Sequence, residues 1–367
     1  MRAAGPTDAA ATSDQLAALR RTLADFDATA SAAHVLQQLI RLGLDQLPQP
    51  GGGATLARWQ ALALVAEFDL SLAKLYEGHT DALAIHHELG AALASPAAAA
   101  WGVWAAELPA ARAVFDAGRL YGQKAWCSGA ASGSHALLTA WPREVHSGSG
   151  RVSCRVTAQD RDRPCGGPQL VSVALAQPGL RISREAWQAV GMSGSASLDV
   201  AFDGAEMTLV GRPGDYLARP GFWHGGAGIA ACWYGGARAL ATTLHTALAQ
   251  TPAAARNPFR LAALGKVDVA LRCTAAALRE AAAWIDAHPV DDACAVAQRV
   301  RLAAERCVAQ VLDETGRALG ATPFCRDARF ARCAADLPVF VRQSHAERDC
   351  AALGEQLVDT REALWTL

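Results

Sequence analysis

The chain has 367 residues, of which 51% are hydrophobic and 19% charged, a globular balance that can bury one large core or two to three ordinary ones. Lys and Arg (34) nearly cancel Asp and Glu (35), and no basic run is long enough to track a nucleic-acid backbone or an anionic membrane. The most apolar stretch, 225–249, carries Arg238 and His245, so it reads as a buried helix and not as a membrane span.

The N-terminus lacks the basic segment and compact apolar core of a secretory signal. The ten cysteines include no C-x-x-C pair, which reads as isolated reduced thiols in a cytoplasmic protein. From Asp14 to Leu44 apolar residues recur at helical spacing, with Leu16, Leu19, Leu23 and Phe26 on one stripe. Pro48 to Gly53 breaks the pattern. Leu56–Tyr76 and Thr80–Leu93 read as two further helices, and Ala97–Glu107 as a short one.

Near Gly118 the character changes to short apolar runs between Gly/Pro/Asp-rich turns. Val152–Val156, Leu170–Leu175, Gly179–Ile182 and Leu198–Phe202 read as strands. From His224 onward the helical period returns, with helices expected at Gly228–Ala249, Phe259–His288, Asp291–Leu319 and Ser344–Val358. Asp291 and Asp292 suit a helix start, where the dipole favours acidic groups.

Two segments carry chemistry. Gly122-Gln123-Lys124-Ala125-Trp126-Cys127-Ser128-Gly129 alternates as a strand should and ends on a turn glycine. Gly191-Met192-Ser193-Gly194-Ser195-Ala196-Ser197 is a polar turn feeding the strand that begins at Leu198. Together with the helix–strand–helix order they resemble the acyl-CoA dehydrogenase superfamily. The resemblance implies an α+β fold with an N-terminal helical domain (1–110), a middle β-barrel-like domain (111–218) and a C-terminal four-helix bundle (219–367). It also implies FAD as cofactor. Trp126 would supply an apolar wall to the flavin ring and Ser128 a hydrogen bond to its polar edge, while Ser193 and Ser195 would meet the cofactor's oxygens. Read without the resemblance, Trp126 is a core aromatic and the serine loop a surface hairpin.

The chain also departs from the family. The expected Gly-Ser-Asp element after Glu107-Leu108-Pro109 is absent, Ser193 replaces the usual basic residue, and Asn257-Pro258-Phe259-Arg260 keeps a trace of Arg-x-x-Phe-Gly. No Glu falls at the offset of the family's catalytic base. The neighbouring candidates are His345, which can shuttle a proton near neutral pH, and Glu347; Ser344 can serve as a helix cap. The resemblance implies oxidation of an acyl thioester carried by coenzyme A or a carrier protein. It also implies a homodimer or homotetramer and an electron-accepting flavoprotein or a flavin reductase as partner. Two alternatives remain, a flavin-dependent monooxygenase of the same fold and a non-catalytic scaffold that has lost flavin. The histidines form no metal-ligand spacing, His86 and His87 being adjacent where a helical pair needs i,i+4, so no metal site is expected.

Overall fold

The structure is a computed structural model that describes residues 6–27, 29–90, 98–143, 167–185, 187–360 and 365. Four helices come first: α1 (Pro6–Ala24), α2 (Ala32–Arg41), α3 (Thr55–Phe68) and α4 (Leu70–Glu88). The stretch read as continuous over Asp14–Leu44 is divided because Asp27 turns back on Thr29 and Ser31 caps α2, its hydroxyl accepting from His34 N–H. Asp69 divides the next pair, its carboxylate accepting from Leu72 N–H at 2.7 Å. The boundary therefore lies seven residues earlier than Tyr76.

Eight strands follow: β1 (Trp101–Trp104), β2 (Ala113–Asp116), β3 (Arg119–Cys127), β4 (His135–Pro142), β5 (Gln169–Ala174), β6 (Leu180–Ser183), β7 (Leu198–Glu206) and β8 (Thr208–Val210). The helix expected over Ala97–Glu107 is instead β1, which pairs parallel with β4. Two Trp and a Val favour a pleated, half-buried surface more than the flanking alanines favour a helix. The strand expected at Val152–Val156 lies outside the described residues.

The sheet runs β6-β7-β3-β2-β4-β5-β8, with β1 beside β4. It is open, which corrects the barrel-like expectation: among the described residues β6 and β8 stand at its two ends and do not pair. Closure requires first and last strands to meet with a fixed stagger. Here the two end strands have only four and three residues, a short-edge solution that ends a sheet instead of closing it.

The helical part resumes with α5 (Asp215–Ala218), α6 (Gly221–Ala249), α7 (Pro258–Ala287), α8 (Cys294–Leu319), α9 (Ala321–Arg326), α10 (Ala328–Phe340) and α11 (Glu347–Asp359). Asn257 caps α7 through hydrogen bonds from Phe259 and Arg260 N–H, with Pro258 in the first turn. Asp292 accepts from Cys294 N–H at the head of α8. One apolar core runs through both helical regions, joining Leu39, Trp59, Leu72 and Tyr76 to Trp233, Val300, Val311 and Leu337.

Small residues of α6 allow close packing inside the chain. A Cβ on Gly235 would press into the Ala63 carbonyl of α3, with the Ala66 methyl at 2.9 Å, and one on Gly236 would meet Leu70 at 2.9 Å. Among the described residues no helix is long and apolar enough to cross a membrane.

The sheet is tied to α4 by a buried polar relay. Trp101 N–H donates to His79 Nδ1 at 3.2 Å. That fixes the tautomer, so Nε2 carries the proton and donates to Asp45 at 3.0 Å. His79 and Asp45 are both at least 95% buried, and the relay places β1 and its neighbours along α4.

Candidate functional site

β3 pairs with β7 in regular antiparallel register from Tyr121 to Lys124, and then slips, so that Lys124 faces Val200 while Cys127 faces Leu198. The extra residue makes a bulge in which Trp126 adopts φ +58°. A bulky side chain at positive φ is costly and persists only where the surroundings impose it. Trp126 is nevertheless 56% exposed while Cys127 beside it is fully buried. The bulge thus spends backbone strain to present an indole at the surface.

Ser128 continues from this bulge and opens a chain of hydroxyls. Its Oγ lies 2.7 Å from Ser197 Oγ, which lies 3.0 Å from Ser195 Oγ, and Ser195 donates onward to the Met192 carbonyl at 2.8 Å. Gly129 N–H donates to the Ser195 carbonyl at 2.9 Å, binding the two motifs through the backbone as well. Trp104 Nε1 donates to the Ser128 carbonyl at 3.0 Å. The structure therefore brings Ser128 together with Ser195 and Ser197 across about seventy positions in sequence, with Trp126 two residues before Ser128. Ser195 is fully buried and stands behind Ser197, whereas Ser193 is exposed at the head of a 3₁₀ turn, Ser193–Ser195.

The serine loop is held from behind by helices. Met192 at φ +58° and Ala196 at φ +42° bracket the 3₁₀ turn. Gly194 sits on Ser71 of α4, and Gly191 lies against Ala335 and Val339 of α10. Met192 N–H donates to Asp336 Oδ1 at 2.5 Å. Asp336 is 2% exposed and its Oδ2 is buried without a hydrogen-bond partner. Burial pushes its carboxyl up to about 6, with the Met192 hydrogen bond pulling the other way.

A second polar cluster stiffens the base of β3. Lys124, fully buried, donates to Glu107 Oε1 at 2.5 Å and to Thr139 Oγ1 at 2.8 Å. Thr139 also donates to Glu107, and Trp141 Nε1 donates to Glu107 Oε2 at 2.9 Å. Burial alone would raise the Glu107 carboxyl, but hydrogen bonds from Lys124, Thr139 and Trp141 outweigh it and hold it below the usual range. Glu107 is thus the anchor of the segment after β1, and Lys124 two residues before Trp126 is its partner.

His345 lies elsewhere, between α10 and α11, and Glu347 opens α11. His345 is 57% exposed, its Nδ1 3.5 Å from Asp349, and its backbone N–H donates to the same carboxylate at 3.0 Å. Glu347 is exposed in the first turn of α11. Ser344, buried, accepts from Ala346 N–H. Arg301 of α8 links this segment to the core by donating to the Gln343 and Gly226 carbonyls. No hydrogen bond or ion pair of His345 reaches the serine loop.

Sequence reasoning missed the roles of Glu107, Lys124 and Asp336. For Asp336 a signal was present: it is a single acid among Phe330, Ala334, Leu337 and Phe340, the apolar stripe of α10. Among the described residues no group of three His, Cys, Asp or Glu side chains converges in a metal-holding arrangement.

No protein-family model matches the chain, and no curated protein matches it in sequence. Solved structures do match in fold over nearly the whole chain. KijD3 in complex with FMN and dTDP-3-amino-2,3,6-trideoxy-4-keto-3-methyl-D-glucose is 18% identical with a TM-score of 0.73, covering 96% of this chain and 93% of that one. The dibenzothiophene monooxygenase TdsC from Paenibacillus sp. A11-2 is 19% identical with a TM-score of 0.71, covering 96% and 97%; it is also known with FMN and indole bound. Butyryl-CoA dehydrogenase from Megasphaera elsdenii is 14% identical with a TM-score of 0.74, covering 95% and 98%.

The fold therefore resembles that of the acyl-CoA dehydrogenase-like flavoenzymes broadly. Three expectations are corrected. The FAD expectation is not supported, since the flavin in the KijD3 and TdsC complexes is FMN. Oxidation of an acyl thioester is displaced as the leading reaction, because similar structures include a monooxygenase and proteins holding a sugar nucleotide or indole. The acyl, coenzyme A or carrier-protein partner falls with it.

Proposed function

We propose that this chain is an FMN-dependent monooxygenase in which Trp126 forms the wall of the flavin site and Ser128 its polar contact. The observation that carries the reading is the bulge at Trp126, which holds a 56% exposed indole at positive φ beside an ordered hydroxyl chain. An apolar wall with a few convergent polar groups is what a flat, edge-polar cofactor requires. The residues fit the group: the indole matches the ring face, Ser128, whose own proton is directed to Ser197, can accept a hydrogen bond, and exposed Ser193 offers a further hydroxyl.

Bound and reduced, FMN would supply the two electrons that place one atom of O₂ in the substrate and reduce the other to water. The chain's own residues do the rest. Trp126 and Ser128 hold and orient the ring, and the buried Ser197 and Ser195 fix the Ser128 hydroxyl in direction. The segment 341–346 contains no carboxylate, which suits oxygen transfer because no α-proton of an acyl group has to be removed. His345, held by Asp349, and Glu347 are exposed and stand apart from the serine loop, so no step at the ring is assigned to them. The substrate class is a nitrogen- or sulfur-containing ring or an amino sugar nucleotide.

The test supplies chemically reduced FMN and ¹⁸O₂ with indole, dibenzothiophene and an amino sugar nucleotide as substrates. One ¹⁸O per product molecule is expected with at least one class. Product lacking ¹⁸O, or turnover that proceeds without oxygen, contradicts the reading.

Ser128→Ala removes one hydroxyl from the chain and little volume. It is expected to cost no more than about 1 kcal/mol in folding, the net worth of one hydrogen bond. The rate or potential of FMN reduction should change by more than that. Denaturant unfolding beside anaerobic reductive titration checks both.

A further inference from the structure

Asp336 lies far from Ser128 in sequence, yet one continuous path joins them: Asp336 Oδ1 to Met192 N–H, the Met192 carbonyl to Ser195, then Ser197 and Ser128. The same peptide unit pair thus feels the carboxylate on one side and the hydroxyls on the other. We infer that Asp336 is the positioning residue of the flavin site, holding the 191–197 loop and its hydroxyls in register so that flavin binding depends on its ionisation. This rests on the flavin reading above.

Among the described residues no other hydrogen bond joins the loop to α10, the remaining contact being the close packing of Gly191 on Ala335 and Val339. Met192 and Ala196 sit at positive φ, so the loop is strained and relaxes when its anchor weakens. An ionised carboxylate accepts a charge-assisted hydrogen bond about twice as strong as a neutral acceptor does. Burial brings the Asp336 titration to about 6, inside the working range of most enzymes.

The charged groups facing Asp336 are Asp69 at the head of α4, which opposes its ionisation, and Arg332 on its own helix, which favours it. Those two are partly spent on each other, 3.4 Å apart. Cys333 also lies beside it, its thiol raised to about 12 by burial. The loop itself, 191–197, carries no ionisable side chain. Around the cavity of about 610 Å³ that Asp336 helps to line, Arg238 is paired with Glu67 and Arg329 donates to the Phe68 carbonyl.

The sign follows from the hydrogen bond. Above pH 6 the carboxylate holds Met192 firmly, and below it the neutral acid holds it weakly. Two readouts test this on the full chain. The first is the backbone amide shift of Met192 in ¹⁵N-labelled protein without flavin, expected to step with a midpoint near pH 6 and to lose the step in Asp336→Asn. The second is the dissociation constant of riboflavin, used beside FMN because it lacks the phosphate that itself titrates near 6. It is expected to weaken about fivefold between pH 7.5 and 5, the difference of about 1 kcal/mol between charged and neutral acceptors. In Asp336→Asn it should be weak and flat.

A Met192 amide without a step, or a step that survives in Asp336→Asn, overturns the anchor. A step in the amide with pH-independent riboflavin affinity overturns the coupling to the site. Wild-type protein that binds neither flavin at any pH removes the flavin reading and the coupling with it, while the amide titration still decides whether Asp336 holds the loop.

Discussion

Lys124→Ala is expected to destabilise the folded chain by about 3 kcal/mol, the lower end of the range for breaking a buried ion pair by removing one partner. Lys124 is fully buried, and its loss leaves Glu107 with the hydroxyl of Thr139 and the indole of Trp141 but no counter-charge. The lower end applies because the Glu107 side chain is 32% exposed and can recover part of its hydration. Lys124→Met keeps most of the apolar stem and isolates the lost charge. The double variant Lys124→Met with Glu107→Gln should recover much of the loss, since replacing both members of such a pair is often nearly neutral.

The same pair has a pH signature. Because the folded Glu107 carboxyl is held below its usual range, its contribution is present above the unfolded value of about 4.3 and is lost as pH falls through the folded value. Urea unfolding at pH 7 and pH 3 should therefore show the gap between wild type and Lys124→Met narrowing in acid. A gap that widens in acid contradicts the assignment.

Gly191→Ala is expected to separate the serine loop from α10. The added Cβ would press into the Ala335 carbonyl, with Ala335 C at 2.8 Å and Val339 Cγ2 at 2.9 Å. Backbone cannot rotate aside as a side-chain tip can, so either the loop or the helix shifts. Overpacking of this kind costs roughly 1–3 kcal/mol, against which the entropy gained from removing a glycine offsets at most about 1 kcal/mol. The net is a loss, and the shift also breaks the Met192–Asp336 hydrogen bond that holds the hydroxyl chain. FMN affinity should fall by about tenfold or more, larger than the stability change alone explains. Wild-type affinity in a folded Gly191→Ala protein would show that the loop does not serve the site.

The parts legible in the sequence were those whose signal is local. Helical period placed α7 and α8 within three residues of their observed ends, whereas α1 begins eight residues before Asp14 and α6 seven before Gly228; the Gly122–Gly129 and Gly191–Ser197 motifs pointed to segments that the structure brings into contact. What was not legible depends on distant partners. Whether the sheet closes is decided by the pairing of strands at its edges, and β6 and β8 are too short to signal it. β1 looked helical because its alanine-rich surroundings outweigh four residues whose burial against β4 and α4 only folding supplies. α10 went unread as a helix because Pro338 lies inside it and Pro323 just before it. Asp336 stood out only as an acid on the apolar stripe of α10, and its role comes from Met192, 144 residues away. The choice between FAD and FMN has no local signature in either motif, because Trp126 and Ser128 would face the ring that the two cofactors share.

The central claim is that the face made by Trp126 and Ser128 binds FMN, and a titration of apo-protein with FMN tests it most directly. Wild type should saturate at one FMN per chain, with FAD binding more weakly. Trp126→Ala should bind FMN more weakly by about 1–3 kcal/mol, the scale for losing a large apolar contact. Its unfolding curve should stay close to wild type, because the indole is 56% exposed and contributes little to the core. Stoichiometric FMN bound with equal affinity by wild type and Trp126→Ala would place the cofactor elsewhere, and no FMN bound by wild type would contradict the claim outright.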